Sequence, residues 1–256
     1  MKILLISDIH YGKDVNYPQF GPSDYVNTLG SKFPALFNKL LPKINSFDIV
    51  FNLGDCISIE GPEEDFQTYS RFLDYFKDIK IPIVHLLGNH DTACLTREQL
   101  LQLNKTSKTY HSFDFKNFHH IVLDPQLKDG LFSIDEKQME WLKGDIKNTK
   151  LKAVVYSHYH CDEQSMEDNM YFCKKPEKAF IKEKKELREI FERSGKVKAF
   201  FCGHTHFFHK EKINGILYVT VPSFCENDGK GNPKGEYLEL ILNRFMTYIK
   251  LRKIAL

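Results

Sequence analysis

Five short apolar runs, at residues 2–7, 48–53, 81–87, 151–157 and 197–202, constrain this chain more than any other feature. Each is too short for a helix and too uniformly apolar for a half-exposed strand, so each reads as a buried strand. Helical spacing fills the gaps between them. Phe33, Leu36, Phe37, Leu40, Leu41 and Ile44 predict an amphipathic helix over 33–44, with Pro34 in its first turn. Phe66, Tyr69, Phe72, Leu73 and Phe76 predict another over 62–80, and residues 96–103 a short one. Ser133-x-x-Glu136 has the form of a capping box opening a helix through Trp141 and Leu142 to Ile146. Residues 176–194 predict a charged helix, with Pro176 at its opening and Gly195 as its stop. Strands alternating with helices specify an α/β fold. Residues 110–115 and 119–123 predict a strand pair around Lys116-Asn117. Beyond about residue 208 the chain is strand-like at 216–221, 237–242 and 246–251, with a hairpin signal at Asn214-Gly215. That tail and the central pair predict a second sheet packed against the first, within one domain over residues 1–256.

Each of the five runs ends in a polar segment: Asp8-Ile9-His10, Gly54-Asp55, Gly88-Asn89-His90-Asp91, Ser157-His158 and Gly203-His204-Thr205-His206. In open α/β sheets, ligands bind outside the carboxyl ends of the strands, so this placement carries distant segments to one rim. Gly54, Gly88 and Gly203 fit sharp turns or close backbone approach there. Carboxylate and amide oxygens mixed with imidazoles suit Mn, Fe or Zn. The set exceeds what one ion needs and suits two ions sharing a bridging carboxylate, an arrangement that mostly does hydrolytic chemistry.

Taken together, DxH, GD, GNHD, H and GHTH over residues 8–206 resemble the signature of the calcineurin-like metallophosphoesterase superfamily. The resemblance implies a four-layer α/β/β/α sandwich, two mixed β-sheets flanked by helices, around two divalent metal ions. By motif, Asp8, His10 and His206 would hold one ion; Asn89, His158 and His204 would hold the other; Asp55 would bridge them. His90 would contact the phosphate or protonate the leaving oxygen, and Asp91 would orient His90. The chemistry agrees. Paired ions lower the pKa of a bound water toward about 7, giving hydroxide near neutrality, and an imidazole can donate a proton in the same range.

Alternatives exist for several residues. His160 competes with His158 as a ligand, and His158 is preferred because it follows the strand directly. His85, within an apolar run, reads as a core histidine, and His111, His119, His120 and His209 as structural or surface residues. Cys56 reads as a packed thiol beside Asp55, and the Lys/Glu run over 182–189 as a solvated helix face. The net charge of +2, from 36 basic and 34 acidic residues, makes no electrostatic case for nucleic acid or membrane. No apolar stretch approaches the roughly 20 residues of a membrane span, and no signal peptide is evident. The six cysteines show no CxxC pair, so reduced thiols and a cytoplasmic setting are expected.

The reaction can be narrowed by comparison within the superfamily. The Arg that follows GD in the protein phosphatases is absent, because the segment runs Gly54-Asp55-Cys56-Ile57-Ser58. Little chain remains for the capping domain of the repair nucleases. Tyr-x-Ser-Phe-Asp, Ile-Val-Leu-Asp and Gln-x-x-Trp-Leu over residues 110–142 resemble phosphodiesterases of the cyclic-nucleotide or nucleoside-diphosphate-alcohol type, although Ser58 stands where many of these have Asp or Glu. The expected substrate is therefore a small nucleotide-like phosphodiester or pyrophosphate. A phosphomonoesterase and a non-catalytic scaffold for protein binding are the alternatives. Loops 11–31, 159–175 and 222–235 would choose the substrate. In them Tyr17, Phe20 and Tyr25 could stack a base or pack the loop, and Lys230 and Lys234 could meet a phosphate or solvent.

Overall fold

The computed structural model describes residues 1–17, 26–243 and 246–256. In chain order its elements are β1 (Lys2–Ile6), α1 (Phe33–Ile44), β2 (Ile49–Asn52), α2 (Pro62–Asp74), β3 (Ile83–His85), α3 (Asp91–Cys94) and α4 (Arg97–Asn104). They continue with β4 (His111–Phe115), β5 (Phe118–Val122), β6 (Gln126–Lys128), β7 (Leu131–Ser133), α5 (Glu136–Asn148) and β8 (Lys152–Tyr156). Last come α6 (Lys184–Ser194), β9 (Val197–Cys202), β10 (His209–Ile213), β11 (Ile216–Thr220), β12 (Glu236–Leu242) and β13 (Thr247–Lys253).

Two mixed sheets result. One runs β13-β12-β1-β2-β3 and the other β10-β11-β9-β8-β5-β4. In the first, β1, β2 and β3 are parallel. In the second, β5, β8, β9 and β11 are parallel. Apolar side chains from both sheets form the layer between them, including Leu5, Phe51, Val154, Tyr156 and Phe201. Phe51 stacks on Tyr156 with ring centroids 3.8 Å apart. Helices cover the outer faces: Leu36, Leu40, Tyr69 and Phe72 on one side, Met139, Leu142, Leu187 and Phe191 on the other. This is the α/β/β/α sandwich expected of the sequence. Burial on both faces explains why the central strands are continuously apolar.

Helix α1 spans the expected residues. The strand pair turns at Lys116-Asn117, both with positive φ (45° and 67°), as a two-residue hairpin requires. Four expectations are corrected. The tail does not lie wholly in the second sheet with the central pair: β10 and β11 do, but β12 and β13 extend the first sheet. Helix α2 stops at Asp74, because the amides of Tyr75 and Phe76 bond back to the Phe72 and Leu73 carbonyls in tight turns. The capping residue of α5 is Asp135, which accepts from the Gln138 amide. Ser133 instead donates to the Glu183 carboxylate. Finally, residues 176–194 are not one helix. A single 3-10 turn at Pro176–Ala179 is followed by an extended stretch in which the Ile181 amide bonds to the His160 carbonyl and the Lys182 amide to the Phe132 carbonyl. Those long-range bonds, and complete burial of Ile181, override the helical pattern until Lys184. Among the described residues, no helix is long and apolar enough to cross a membrane.

Candidate metal centre

All five polar segments meet at the carboxyl ends of β1, β2, β3, β8 and β9, in a crevice that the two sheets share. The loops after β1 and β2 are laced together: the amides of Asp8, His10 and Tyr11 donate to the carbonyls of Gly54, Asp55 and Cys56. Asp8, His10, Asp55, His204 and His206 all have positive φ, between 49° and 69°. Non-glycine residues rarely adopt this conformation, and such strain concentrates at functional sites. Close approach explains two of the glycines. A Cβ at Gly88 would overlap the Asp55 carboxylate, and one at Gly203 would overlap the Ser7 hydroxyl and the Asp8 carboxylate.

Asp55 is central. Its Oδ2 lies 3.4 Å from His158 Nε2, 3.9 Å from His10 Nε2 and 4.0 Å from His90 Nε2. Its other oxygen accepts the His90 amide. On one side Asp8 Oδ1 is 3.5 Å from His206 Nε2, and His10 and His206 turn their Nε2 atoms toward each other at 3.1 Å. On the other side His158 and His204 have ring centroids 5.0 Å apart. Ligand atoms of Asp8, His10 and His206 form one compact group, and those of Asp55, His158 and His204 another. Asn89 Oδ1 and His158 Nε2 are buried with no hydrogen-bond partner among the described residues. Orphaned buried polar atoms are rare, and a cation within reach of both would satisfy them. The donor set therefore fits divalent metal ions.

The imidazoles are held from behind, as metal-binding histidines generally are. His158 Nδ1 donates to the Leu53 carbonyl at 2.8 Å, His204 Nε2 to the Lys178 carbonyl at 3.0 Å, and His206 Nδ1 to Glu226 Oε2 at 2.7 Å. Glu226 also accepts from the Tyr171 hydroxyl. No motif marks Glu226 in the sequence; only its place in the loop after β11 brings it to His206.

Electrostatics in the cluster follow from burial and the two carboxylates. Burial alone would push the His158 imidazole down, but the Asp55 carboxylate beside it reverses this and lifts its pKa to about 9. Burial would raise Asp55, yet the His158 and His90 rings hold it well below the usual carboxylate range. Burial pushes His10 and His204 well below the ordinary imidazole value, and it lowers His90 as well.

The residues around the cluster have roles of their own. Asp91 does not touch the His90 ring. Its carboxylate accepts from the backbone amides of Cys56 at 2.8 Å and Gly88 at 2.9 Å, so it ties the GD loop to the GNHD loop. Burial raises its pKa to about 7. Asp91, expected to orient His90, makes no hydrogen bond to that ring among the described residues, and His90 Nδ1 is left without a partner there. His160 stands behind the cluster, with Nε2 on the Gly203 carbonyl at 2.9 Å. Ser58 donates to the carbonyls of His10 and Lys13 and so holds the first loop. The Cys56 thiol is buried, and burial raises its pKa. All six cysteines are free. His119 bridges Asp114 and Asp145, while His120 is buried between the sheets against Phe51 and Phe113. The run over 182–189 is not merely solvated, because Glu183 accepts from Ser133 and the Ile134 amide.

A cavity of about 470 Å³ opens over the cluster. It is lined by Asp55, Asn89, His90, His204 and His206, by Tyr17, Tyr171 and Phe172, and by Lys174, Lys175 and Lys178. The Tyr17 hydroxyl is 3.5 Å from His90 Nε2. Phe20 and Tyr25 lie outside the described residues. Neither Lys230 nor Lys234 lines the cavity; Lys234 covers the Phe207 ring, its Nζ 4.7 Å from the centroid.

A model of the calcineurin-like phosphoesterase family matches residues 1–208. The chain belongs to this family. As a metallophosphoesterase it has the fold of solved relatives. A dimetal phosphatase from Danio rerio superposes with a TM-score of 0.77 at 15% identity, covering 99% of this chain and 96% of that one. A purple acid phosphatase, PPD1 from yellow lupin (Lupinus luteus) seeds, gives 0.70 at 13% identity, covering 99% of this chain and 51% of that one. GAP50, described as the anchor in the inner membrane complex of Plasmodium, gives 0.57 at 14% identity, covering 100% and 84%. At such identities the likeness is one of fold alone, and function has to be argued from the site. No curated protein matches the chain by sequence.

Proposed function

We propose that this metallophosphoesterase hydrolyses a phosphodiester or pyrophosphate bond of a small nucleotide-like substrate at a pair of divalent ions. Asp8, His10 and His206 would hold one ion, Asn89, His158 and His204 the other, and Asp55 would lie between them. The single observation carrying the reading is the position of Asp55, one carboxylate reached by His10 from one side and His158 from the other. Mn, Fe or Zn would suit this mixture of carboxylate, amide and imidazole. Bound there, two such ions supply positive charge for the phosphoryl oxygens and an activated water.

The chain's own residues do the rest. Glu226, Leu53 and Lys178 fix the tautomers of three histidines, leaving the opposite ring nitrogen as the ligand. His90 lines the cavity beside the cluster and offers a ring nitrogen to a phosphoryl or leaving oxygen. Its Nε2 also lies within ligand distance of Asp55 and His10, so its role is decided by metal content. Lys174, Lys175 and Lys178 pair with no carboxylate among the described residues, and all three line the cavity. They favour a substrate carrying negative charge beyond the reacting phosphoryl group. Tyr17 and Phe172 offer faces to a base or a similar flat group.

The test is hydrolysis of bis-p-nitrophenyl phosphate, p-nitrophenyl phosphate, and a panel of nucleotide diesters and diphosphates, with Mn and with chelator. Chelator-sensitive turnover of a diester or diphosphate above the monoester is expected. Preference for the monoester would make the protein a phosphomonoesterase, and no turnover with any metal would favour a scaffold. His90→Ala should lose most activity while keeping both ions. Loss of the ions in that variant would make His90 a ligand.

A further inference from the structure

A second polar cluster lies outside the cavity, at the edge of the six-stranded sheet. His209 and Glu211 are two apart on the edge strand β10, so their side chains share a face. Asp162, in the loop after β8, reaches the same place: ligand atoms of Asp162, His209 and Glu211 lie within 4.8 Å of one another. Asp162 is 1% exposed. Its Oδ2, His209 Nε2 and Glu211 Oε1 are all buried without a hydrogen-bond partner among the described residues. The nearest approach of His209 to Glu211, 3.9 Å, is too long for a hydrogen bond. No lysine or arginine neutralises either carboxylate among the described residues. Lys184 and Arg188 pair with Glu163, the neighbour of Asp162 in sequence, instead. Lys210 and Lys212 alternate to the opposite face of β10, where they are exposed.

Asp162 Oδ1 accepts the Gln164 amide, but Oδ2 and the facing atoms of His209 and Glu211 have no donor or acceptor among the described residues, which carries a desolvation cost. One divalent cation removes it, because its charge balances both carboxylates and its coordination sphere takes the imidazole. We propose that Asp162, His209 and Glu211 bind a third divalent ion, separate from the pair at Asp55. One nitrogen and two oxygen donors suit zinc or manganese. Such an ion also has a route of action. Asp162 Oδ1 is 3.5 Å from His160 Nδ1, and His160 Nε2 holds the Gly203 carbonyl and the Thr205 hydroxyl. An ion fixing Asp162 thereby steadies the loop that carries His204 and His206, and ties β10 to the loop after β8.

The experiment is zinc saturation, removal of excess metal, and counting of zinc per chain by mass spectrometry. It is run on the wild type, Glu211→Gln, Asp55→Asn and the double variant. His209→Asn is made in parallel in case Glu211→Gln does not fold; both positions are part-exposed on an edge strand. Each β10 variant is expected to lose one ion, in the wild-type and in the Asp55→Asn background alike. Zinc should raise Tm in Asp55→Asn but less in the double variant. Loss of an ion only in the wild-type background, or no loss in either, would overturn the proposal. The Asp55→Asn background keeps this result independent of the ion pair, so the two readings can fail separately.

Discussion

The layer between the sheets and the crevice at their carboxyl ends are built from the same strands, yet they obey opposite rules. Between the sheets apolar packing dominates: Phe51 lies flat on Tyr156, and His120 meets the Tyr156 hydroxyl through Nδ1, while its Nε2 is buried without a partner among the described residues. Two or three residues past the strand ends, the backbone turns left-handed at Asp8 and Asp55, and buried atoms such as Asn89 Oδ1 lack partners among the described residues. The interior is mostly apolar side chains packed on one another. The crevice is incomplete without something that is not protein, and strands anchored in a dense interior can carry the strain of the loops above them.

If this contrast is right, substitutions in the two regions should fail in different ways. Asp55→Asn should lower turnover on the order of 10³-fold or more, since it removes the shared carboxylate. The metal-free variant also loses the charge partner of His158, so its Tm should fall, but by less than for an emptied core position. Phe51→Ala should do the reverse. It should cost about 3–5 kcal/mol of stability for the emptied ring volume, while folded protein keeps its ions. The pair is read by chelator-treated melting curves and metal counts. Equal destabilisation by both substitutions would erase the distinction.

A smaller effect is expected at Glu226. Glu226→Gln leaves a group able to accept from His206 Nδ1 but removes the charge behind the imidazole. Metal affinity should fall roughly 10–100-fold with the fold unchanged, as measured by competition with a chelator. Unchanged affinity would reduce Glu226 to a partner of Tyr171.

The smallest effect concerns pH. In the metal-free protein His158 is raised to about 9, above its unfolded value near 6.5. The protonated ring therefore stabilises the metal-free fold fully below about pH 6.5, and that contribution is lost as pH rises through about 9. Metal binding requires the neutral ring and releases the proton. The rise in Tm produced by metal should therefore grow between pH 7 and 9, and calorimetry at pH 7 in buffers of different ionisation enthalpy should report proton release. A flat profile would mean that His158 is not a ligand.

Much of this architecture was legible because burial leaves local patterns. Helix α1 has the expected bounds and buries the expected apolar face except Leu41, which is exposed, and each short apolar run became a strand with its polar segment at the carboxyl end. That these polar segments meet was legible because chain order places them at strand ends. Features set by contacts distant in sequence were not. The break before α6 depends on Ile181 bonding to the His160 carbonyl. Asp91 looked like a partner for its neighbour His90, but its carboxylate found amides on another loop. Glu226 and the lysines over the cavity reached the site through loops whose paths no periodicity records. His209 read as a structural or surface residue because nothing local to β10 announces Asp162.

The central claim is that two cations share Asp55. Anomalous diffraction at the manganese edge, from crystals of manganese-loaded protein, tests it most directly. Two peaks about 3.5–4 Å apart, one on each side of the Asp55 carboxylate, are expected. A single peak there, or none, would contradict the account.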